Sequence, residues 1–559
     1  MKRDLLQLRS DVQGLVALIK GVPEFLRERI TLERAEEQIK GALDHREERF
    51  LATVRTGIYE HPRSPYLKLL QLAGCEFSDL QREVRRSGIE ETLIRLAREG
   101  VYFTVEEFKG KKEVIRGRHS FRVSPDDFDN NNGSAGYRTQ SSGTSNQPTR
   151  SFVSLKLLSI RTPATCVTFA AHGLFSCAHA MYDAILPGAG GINNLLIYSR
   201  MGLTTERWFA RRVPIINRLE RSYHYFTTQL IVLASRRLRS GFPKPEFLGH
   251  EEIENIVHWA AAAQIRQRGC CITTAASNAA RVARAACRLG ISLEGTKFIV
   301  TGEPFTDAKR EVVERAGATG IPRYAYGGSV NIGYGCARAL HTDEIHVNQH
   351  LLALISNPRR DTNAGFSVHP LLCTTLDPSF PRLLLNVENG DYGYLTRRDC
   401  GCALEKAGLS LHLHHIRSFE KFTSEGMNFF YGDLYELFEK NFPCDFGGGP
   451  GDYQLVEEED GNGQTRLTLI VHPHVGDVEE HRILARLRAE LAKRSRGDRF
   501  MTDVWAQAGT FRLKRTAPYA SPRGKVLPLH IFKATKDLSV NRSGPSALHN
   551  VRSDHINGG

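Results

Sequence analysis

Between residues 151 and about 400, short β-forming runs alternate with stretches at helical spacing, and this alternation constrains the fold more than any other feature. Lys297-Phe298-Ile299-Val300 and Arg382-Leu383-Leu384-Leu385-Asn386-Val387 read as strands, whereas Ala275 to Leu289 is Ala/Arg-rich and reads as a helix. Strands interleaved with helices are buried as a sheet between helical layers, so an α/β domain with substantial strand content is expected. The chain has 559 residues, more than one hydrophobic core usually supports, so at least two domains are expected. Its 41% hydrophobic and 25% charged residues exclude a wholly disordered, collagen-like or disulfide-scaffold chain.

The flanks have a different character. Residues 1–100 carry Leu, Arg and Glu at helical spacing and form an N-terminal helical region. Residues 101–417 make the large domain. Residues 418–533 read as a smaller α+β unit, with a helix near Gly432 to Asn441, a strand at Thr465 to Val471, a helix at Val478 to Arg494 and a strand near Phe511. The tail, 534–559, lacks periodic apolar residues and is expected to be disordered. Gly447-Gly448-Gly449-Pro450-Gly451 precedes no convincing helix and reads as a turn.

Seventy-five Lys+Arg against 62 Asp+Glu give a net charge of +13, spread along the chain instead of gathered in a stripe. A basic surface suits phosphate-bearing ligands as well as nucleic acid. With no zinc finger or aromatic RNA-binding signature, nucleic acid is not the expected partner. The eleven Cys are odd in number, and charges interrupt the opening MKRDLLQLRSDVQGLVALIK where a signal-peptide core would lie, so a cytoplasmic protein with reduced thiols is expected. The most apolar region, Thr162 to Tyr198, contains His172, His179 and Asp183 and reads as buried core, not as a membrane span.

Ser141-Ser142-Gly143-Thr144-Ser145-Asn146-Gln147-Pro148-Thr149 packs hydroxyls around one Gly, leaving main-chain and side-chain donors able to converge on an anion. By itself this stretch reads first as an ordinary polar linker. Other segments follow it in order: Val300-Thr301-Gly302-Glu303-Pro304-Phe305-Thr306, then Tyr324-Ala325-Tyr326-Gly327-Gly328-Ser329, then Arg397-Arg398-Asp399, then Arg417-Ser418 with Gly426-Met427-Asn428-Phe429-Phe430, and finally Ser521-Pro522-Arg523-Gly524-Lys525-Val526. In that order and spacing the series resembles the acyl-adenylate-forming enzymes, and most of all their phenylacetate–CoA ligase-like branch, over roughly residues 70 to 535.

The resemblance implies a large N-terminal adenylate-forming (acyl-CoA synthetase-like) domain and a smaller mobile α+β C-terminal domain. It implies that Ser141, Ser142, Gly143, Thr144 and Ser145 bind phosphate, and that Gly302, Glu303, Pro304, Ala325, Tyr326, Gly327 and Ser329 border the adenine. Asp399 would hold the ribose hydroxyls, Arg417 would mark the hinge beside the nucleotide, and Lys525 would be the catalytic lysine. An ammonium there can offset the charge that builds at the α-phosphate. ATP with Mg²⁺ and a carboxylic acid would be substrates, and CoA or a carrier-protein thiol the acceptor, with a homodimer left open. Acyl transfer to an amine or hydroxyl, and a non-catalytic nucleotide-binding homologue, are the alternatives.

Cys336, His346 and the Asp399-Cys400-Gly401-Cys402 run supply three thiols and one imidazole, the ligand count of structural zinc. Some members of the resembled branch share this arrangement, which implies Cys336, His346, Cys400 and Cys402 as ligands of a structural Zn²⁺. Buried reduced residues are the alternative, as are His341, His350, His412, His414 or His415 as the nitrogen ligand. His172 reads either as lining the acyl pocket or as a satisfied core histidine. The chain departs from the family pattern at Val330, where a Mg²⁺-supporting Glu is usual, at Gln147, and at Phe419-Glu420 in the hinge.

Overall fold

A computed structural model describes residues 2–130, 136–140, 150–186, 188, 190–211, 218–235, 241–249, 251–267, 269–326, 330–357, 359–360, 367–368, 370–421, 428–459, 465–492, 511–521 and 524–531. Its largest sheet has thirteen strands. One half is parallel, with the spatial order Pro245–Leu248, Thr205–Arg211, Ala178–Tyr182, Cys270–Ala275, Thr296–Thr301, Thr319–Tyr326. The chain builds outward from Ala178–Tyr182 in one direction, then returns and builds outward from Cys270–Ala275 in the other. At such a reversal the connections diverge and open a crevice beyond the carboxyl ends of the two central strands.

Val330–Gly335 turns back antiparallel on Thr319–Tyr326 and begins the other half, which continues through Ile345–Val347, Leu411–Lys421, Val387–Arg397, Pro370–Thr375 and Leu352–Ser356. Successive side chains of a strand face opposite sides, and in the parallel half both sides are covered. Cys271, Ile299 and Met181 enter one core, while Cys270, Ile272, Phe298, Val300 and Ala180 enter another. The N-terminal helices Leu32–Asp44, Arg46–Val54, Pro65–Leu72 and Phe77–Arg98 pack into the first of these. The expected helix at 275–289 runs Ala276–Leu289 and stops at Gly290, whose left-handed φ of 65° only glycine adopts readily. Its buried residues are mostly alanine, and they pack into the second of these cores.

The run Arg382–Val387 behaves differently from its apolar pattern. Asn386 has a φ of 50°, and the regular strand begins only at Val387. The Asn386 amide donates to the carbonyls of Leu93 and Val101 at 2.8 and 3.1 Å, tying this position to the end of the helical region.

Gly136–Gln140 and Arg150–Ser154 pair antiparallel. The hydroxyl-rich segment between them, with Ser141, Ser142, Gly143, Thr144 and Ser145, lies outside the described residues, as do Gly327 and Ser329 and the tail 534–559.

A second sheet, ordered Phe511–Arg515, Thr465–Val471, Tyr453–Glu459, Leu529–Ile531, packs against the helix Glu480–Ala492 around a separate core that includes Leu455, Leu467, Leu469, Ile483 and Leu487. Gly447 to Gly451 connects without regular structure. No described helix is long and apolar enough to cross a membrane.

Candidate active site and cysteine–histidine centre

The strand Thr296–Thr301 leads into Gly302 at the carboxyl edge of the parallel sheet, and the Lys525 loop of the small unit arrives at the same place. Gly302 has a φ of +91°, and a methyl group added to it would stand 2.6 Å from Lys525 Cε and 3.3 Å from Nζ. The lysine lies directly on the glycine, 223 positions apart in sequence. Only a residue without Cβ lets it approach so closely.

The loop is braced on both sides. Ser521 N donates to the Lys525 carbonyl at 2.9 Å, Gly524 N to the Ser521 carbonyl at 2.8 Å, and Lys525 N to Ser521 Oγ at 3.2 Å. Gly524, at φ +84°, presses on the Asn278 side chain, and Arg281 donates to its carbonyl at 3.0 Å. Asn278 and Arg281 belong to the first two turns of Ala276–Leu289, which starts directly after Cys270–Ala275 at the topological switch point. The small unit therefore delivers its lysine to the crevice where open α/β sheets bind ligands.

The crevice is basic. Burial lowers the Arg281 guanidinium to about 10, with Arg211 the next contributor, and burial lowers Arg211 in the same direction. Two desolvated cations near one another are relieved by an anion bound between them.

Glu303 is occupied otherwise. Its carboxylate accepts from Ser277 N at 2.8 Å and Ser277 Oγ at 2.7 Å, capping the first turn of Ala276–Leu289. It also faces Lys309 Nζ at 3.7 Å, and both side chains are fully buried. Lys309 pairs with Glu439 of the small unit at 2.7 Å and donates to the Pro304 carbonyl at 3.0 Å, while Thr306 Oγ1 donates to Glu439. Sequence reasoning missed this clamp, since a Lys at the third position of a helix and a Glu 130 residues later carry no shared signal. A second link joins Arg284 to the buried Asp452 at 2.5 Å, and Asp452 also accepts from His474 at 2.9 Å and Gly449 N at 2.8 Å.

Ala325 and Tyr326 end the last parallel strand, paired with Asn331 and Val330. Tyr324 donates to Asp391 and accepts from Asn389 at 2.8 Å, and burial raises the neighbouring Tyr326 phenol, with Arg382 acting against it. Val330 is buried at 3% exposure among apolar residues. Arg417 is tied to Asp343 at 2.8 Å, and Asp399 is exposed beside Cys400. His172 caps Leu155–Ala171, its Nε2 lies 2.9 Å from the Gly335 carbonyl, and its own carbonyl accepts from Lys297 Nζ. Lys297 is the second residue of Thr296–Thr301, so His172 sits at the amino edge, the end of the sheet opposite Gly302. Burial lowers its imidazole.

Cys336, His346, Cys400 and Cys402 converge, all buried, with their ligand atoms within 4.8 Å of one another. His346 Nε2 is 3.1 Å from Cys402 Sγ and 3.6 Å from Cys400 Sγ, near the roughly 3.5 Å that a tetrahedral zinc would impose given Zn–N and Zn–S lengths of about 2.0–2.3 Å. His346 Nδ1 donates to the Leu409 carbonyl at 2.6 Å, which leaves Nε2 as the lone-pair nitrogen. Arg338 N lies 3.3 Å from Cys336 Sγ and Cys402 N 3.5 Å from Cys400 Sγ, donors that suit thiolates. Cys336 and Cys402 are linked by a hydrogen bond that lowers the Cys402 thiol and raises the Cys336 thiol. The donor set fits a structural Zn²⁺. Of the other nitrogen candidates, His412 packs beside His346 with ring centroids 4.1 Å apart and its Nδ1 2.6 Å from Glu344.

No protein-family model and no curated protein matches the chain. Among solved structures, it is similar to a 2-hydroxyisobutyryl-CoA ligase in a postadenylation state with an acyl-AMP, at 12% identity and a TM-score of 0.49, with 90% of each chain covered. It is also similar to ATP-bound MatB from Rhodopseudomonas palustris, at 11% identity and a TM-score of 0.39 over 73% of this chain and 68% of that one. The o-succinylbenzoate CoA synthetase MenE from Bacillus subtilis, with AMP, gives 12% identity and 0.39 over 73% and 70%. Likeness at this level leaves the functional reading to the residues of the site.

Proposed function

We propose that the chain is an acyl-adenylate-forming ligase of the phenylacetate–CoA ligase-like kind, activating a carboxylic acid with MgATP and passing the acyl group to a thiol, CoA in the leading reading. The observation that carries this is the meeting of Lys525 with Gly302 at the carboxyl edge of the parallel sheet, one strand from its switch point. The acid's carboxylate oxygen attacks the α-phosphorus, the bond to the β-phosphate oxygen breaks, and pyrophosphate leaves. Lys525 supplies a positive charge where the pentavalent oxygens gather negative charge. Arg281 and Arg211 favour the polyphosphate electrostatically. The thiolate then attacks the acyl carbonyl, and AMP departs.

In this reading Ser141 to Ser145 cradle the phosphates, Tyr326, Gly327 and Ser329 flank the base, Asp399 meets the ribose, and Arg417 acts through Asp343 at the hinge. The Cys336, His346, Cys400, Cys402 centre holds a structural Zn²⁺ and takes no part in the chemistry. The reduced thiols of this centre suit the cytoplasm.

Carboxylate-dependent exchange of labelled pyrophosphate into ATP, run over a broad panel of acids, tests the proposal. Exchange with at least one acid, reduced roughly 10²–10³-fold in Lys525→Ala, is expected. Absence of exchange with every acid refutes it and favours the second reading, a nucleotide-binding homologue without turnover, which the apolar Val330 supports. Product mass with CoA present distinguishes a CoA thioester from transfer to an amine, hydroxyl or carrier protein.

A further inference from the structure

His414 and His415 are consecutive in the strand Leu411–Lys421, where alternation would send their side chains to opposite faces. The pairing with Val387–Arg397 prevents this. Tyr394 lies opposite His414 but Tyr392 lies opposite Arg417, so two residues, His415 and Ile416, oppose the single Gly393. This is a β-bulge, and it re-aims a side chain. His415 takes a left-handed φ of 53°. The Asp343 carboxylate holds the distortion, accepting from His415 N and Ile416 N at 2.8 Å each.

As a result both imidazoles turn to one side. Their Nδ1 atoms are 2.7 Å apart, and His341, two residues before Asp343, stacks on His414 with ring centroids 4.2 Å apart. One nitrogen from each of His341, His414 and His415 falls within 4.8 Å of the others. His414 and His341 are half-buried and His415 is exposed, so the group opens to solvent.

We propose that His341, His414 and His415 form a second metal site, distinct from the cysteine–histidine centre, that binds a divalent transition ion preferring imidazole, such as Zn²⁺, Co²⁺ or Ni²⁺. Three nitrogens with no thiolate or carboxylate beside them in the cluster, among the described residues, select against soft thiolate-seeking ions and against Mg²⁺ and Ca²⁺. Three protein ligands leave a coordination position open to water from the exposed side. The strain at His415 has a use on this account, since the bulge is what places two adjacent imidazoles on one ion. The site ties the turn containing His341 to the strand that runs on through Arg417 and Ser418.

The test uses the full chain with its zinc in place, dialysed against Co²⁺, with total transition metal per chain measured alongside the absorption spectrum. One further equivalent beyond the cysteine–histidine centre is expected, carrying ligand-field bands without a sulfur-to-cobalt charge-transfer band. His414→Gln and, independently, the exposed His415→Asn should each lose that equivalent while keeping the cysteine-bound zinc. Asn tolerates the left-handed backbone, so the second variant preserves the bulge. No second equivalent in the wild type, a second equivalent with a thiolate charge-transfer band, or unchanged uptake in both variants overturns the proposal. Pyrophosphate exchange is not the readout, so its failure would leave this result independent.

Discussion

Replacing Gly302 with Ala tests the contact on which the functional reading stands. The new methyl would lie 2.6 Å from Lys525 Cε, whereas carbon atoms rest about 3.5–4.0 Å apart, so the lysine must retreat by about 1 Å. The backbone at φ +91° adds about 1–2 kcal/mol of strain for a residue with Cβ. Misplacing a catalytic group by about 1 Å costs roughly 10²-fold in rate, and deleting a charge-stabilising group roughly 10²–10³-fold. Pyrophosphate exchange in Gly302→Ala should therefore fall about 10²-fold, close to the loss in Lys525→Ala. If the methyl acts by displacing the lysine, the losses cannot add: the double variant should match Lys525→Ala within about twofold. Wild-type exchange in Gly302→Ala, or fully multiplicative losses in the double variant, would refute the reasoning. Unfolding by urea, run on all three variants, separates a lost fold from a displaced side chain.

Lys309→Met leaves Glu303 and Glu439 buried without their cation and should cost about 3–5 kcal/mol in urea unfolding; adding Glu439→Gln should recover much of that loss. Metal analysis should find zinc in the purified chain and its loss in Cys402→Ser, with a lower unfolding midpoint. Burial pushes the Asp452 carboxyl up, but His474 and Arg284 outweigh it, and the net direction is down. Asp452 thus stabilises the docked small unit above the ordinary carboxylate range, and that stabilisation is lost as pH falls through its lowered value. The stability gap between wild type and Asp452→Asn should be open at neutral pH and close on acidification below about pH 4.

The order of elements was legible from residues alone, because strand and helix periodicity are local properties. The helix Ala276–Leu289 and the strands Thr296–Thr301 and Thr465–Val471 fall where their patterns put them. Asn386 did not follow its apolar neighbours, since the pull on its backbone comes from the carbonyls of Leu93 and Val101, far away in sequence. The three cysteines and His346 could be picked out because few residue types bind zinc, yet only the return of the chain after Arg397 brings the four together.

What the amino-acid order determined by itself was an α/β domain, a second small unit and a short set of residues able to handle phosphate or metal. Tertiary structure alone decided which of these meet. Lys525 lies on Gly302 because a separately cored unit is clamped there by Lys309, Glu439, Arg284 and Asp452. His172 stands at the far edge of the sheet because its helix precedes the amino end of Ala178–Tyr182. His414 and His415 share a face because a one-residue bulge cancels the alternation of a strand. Each of these depends on contacts between distant segments, whose energies no local pattern encodes.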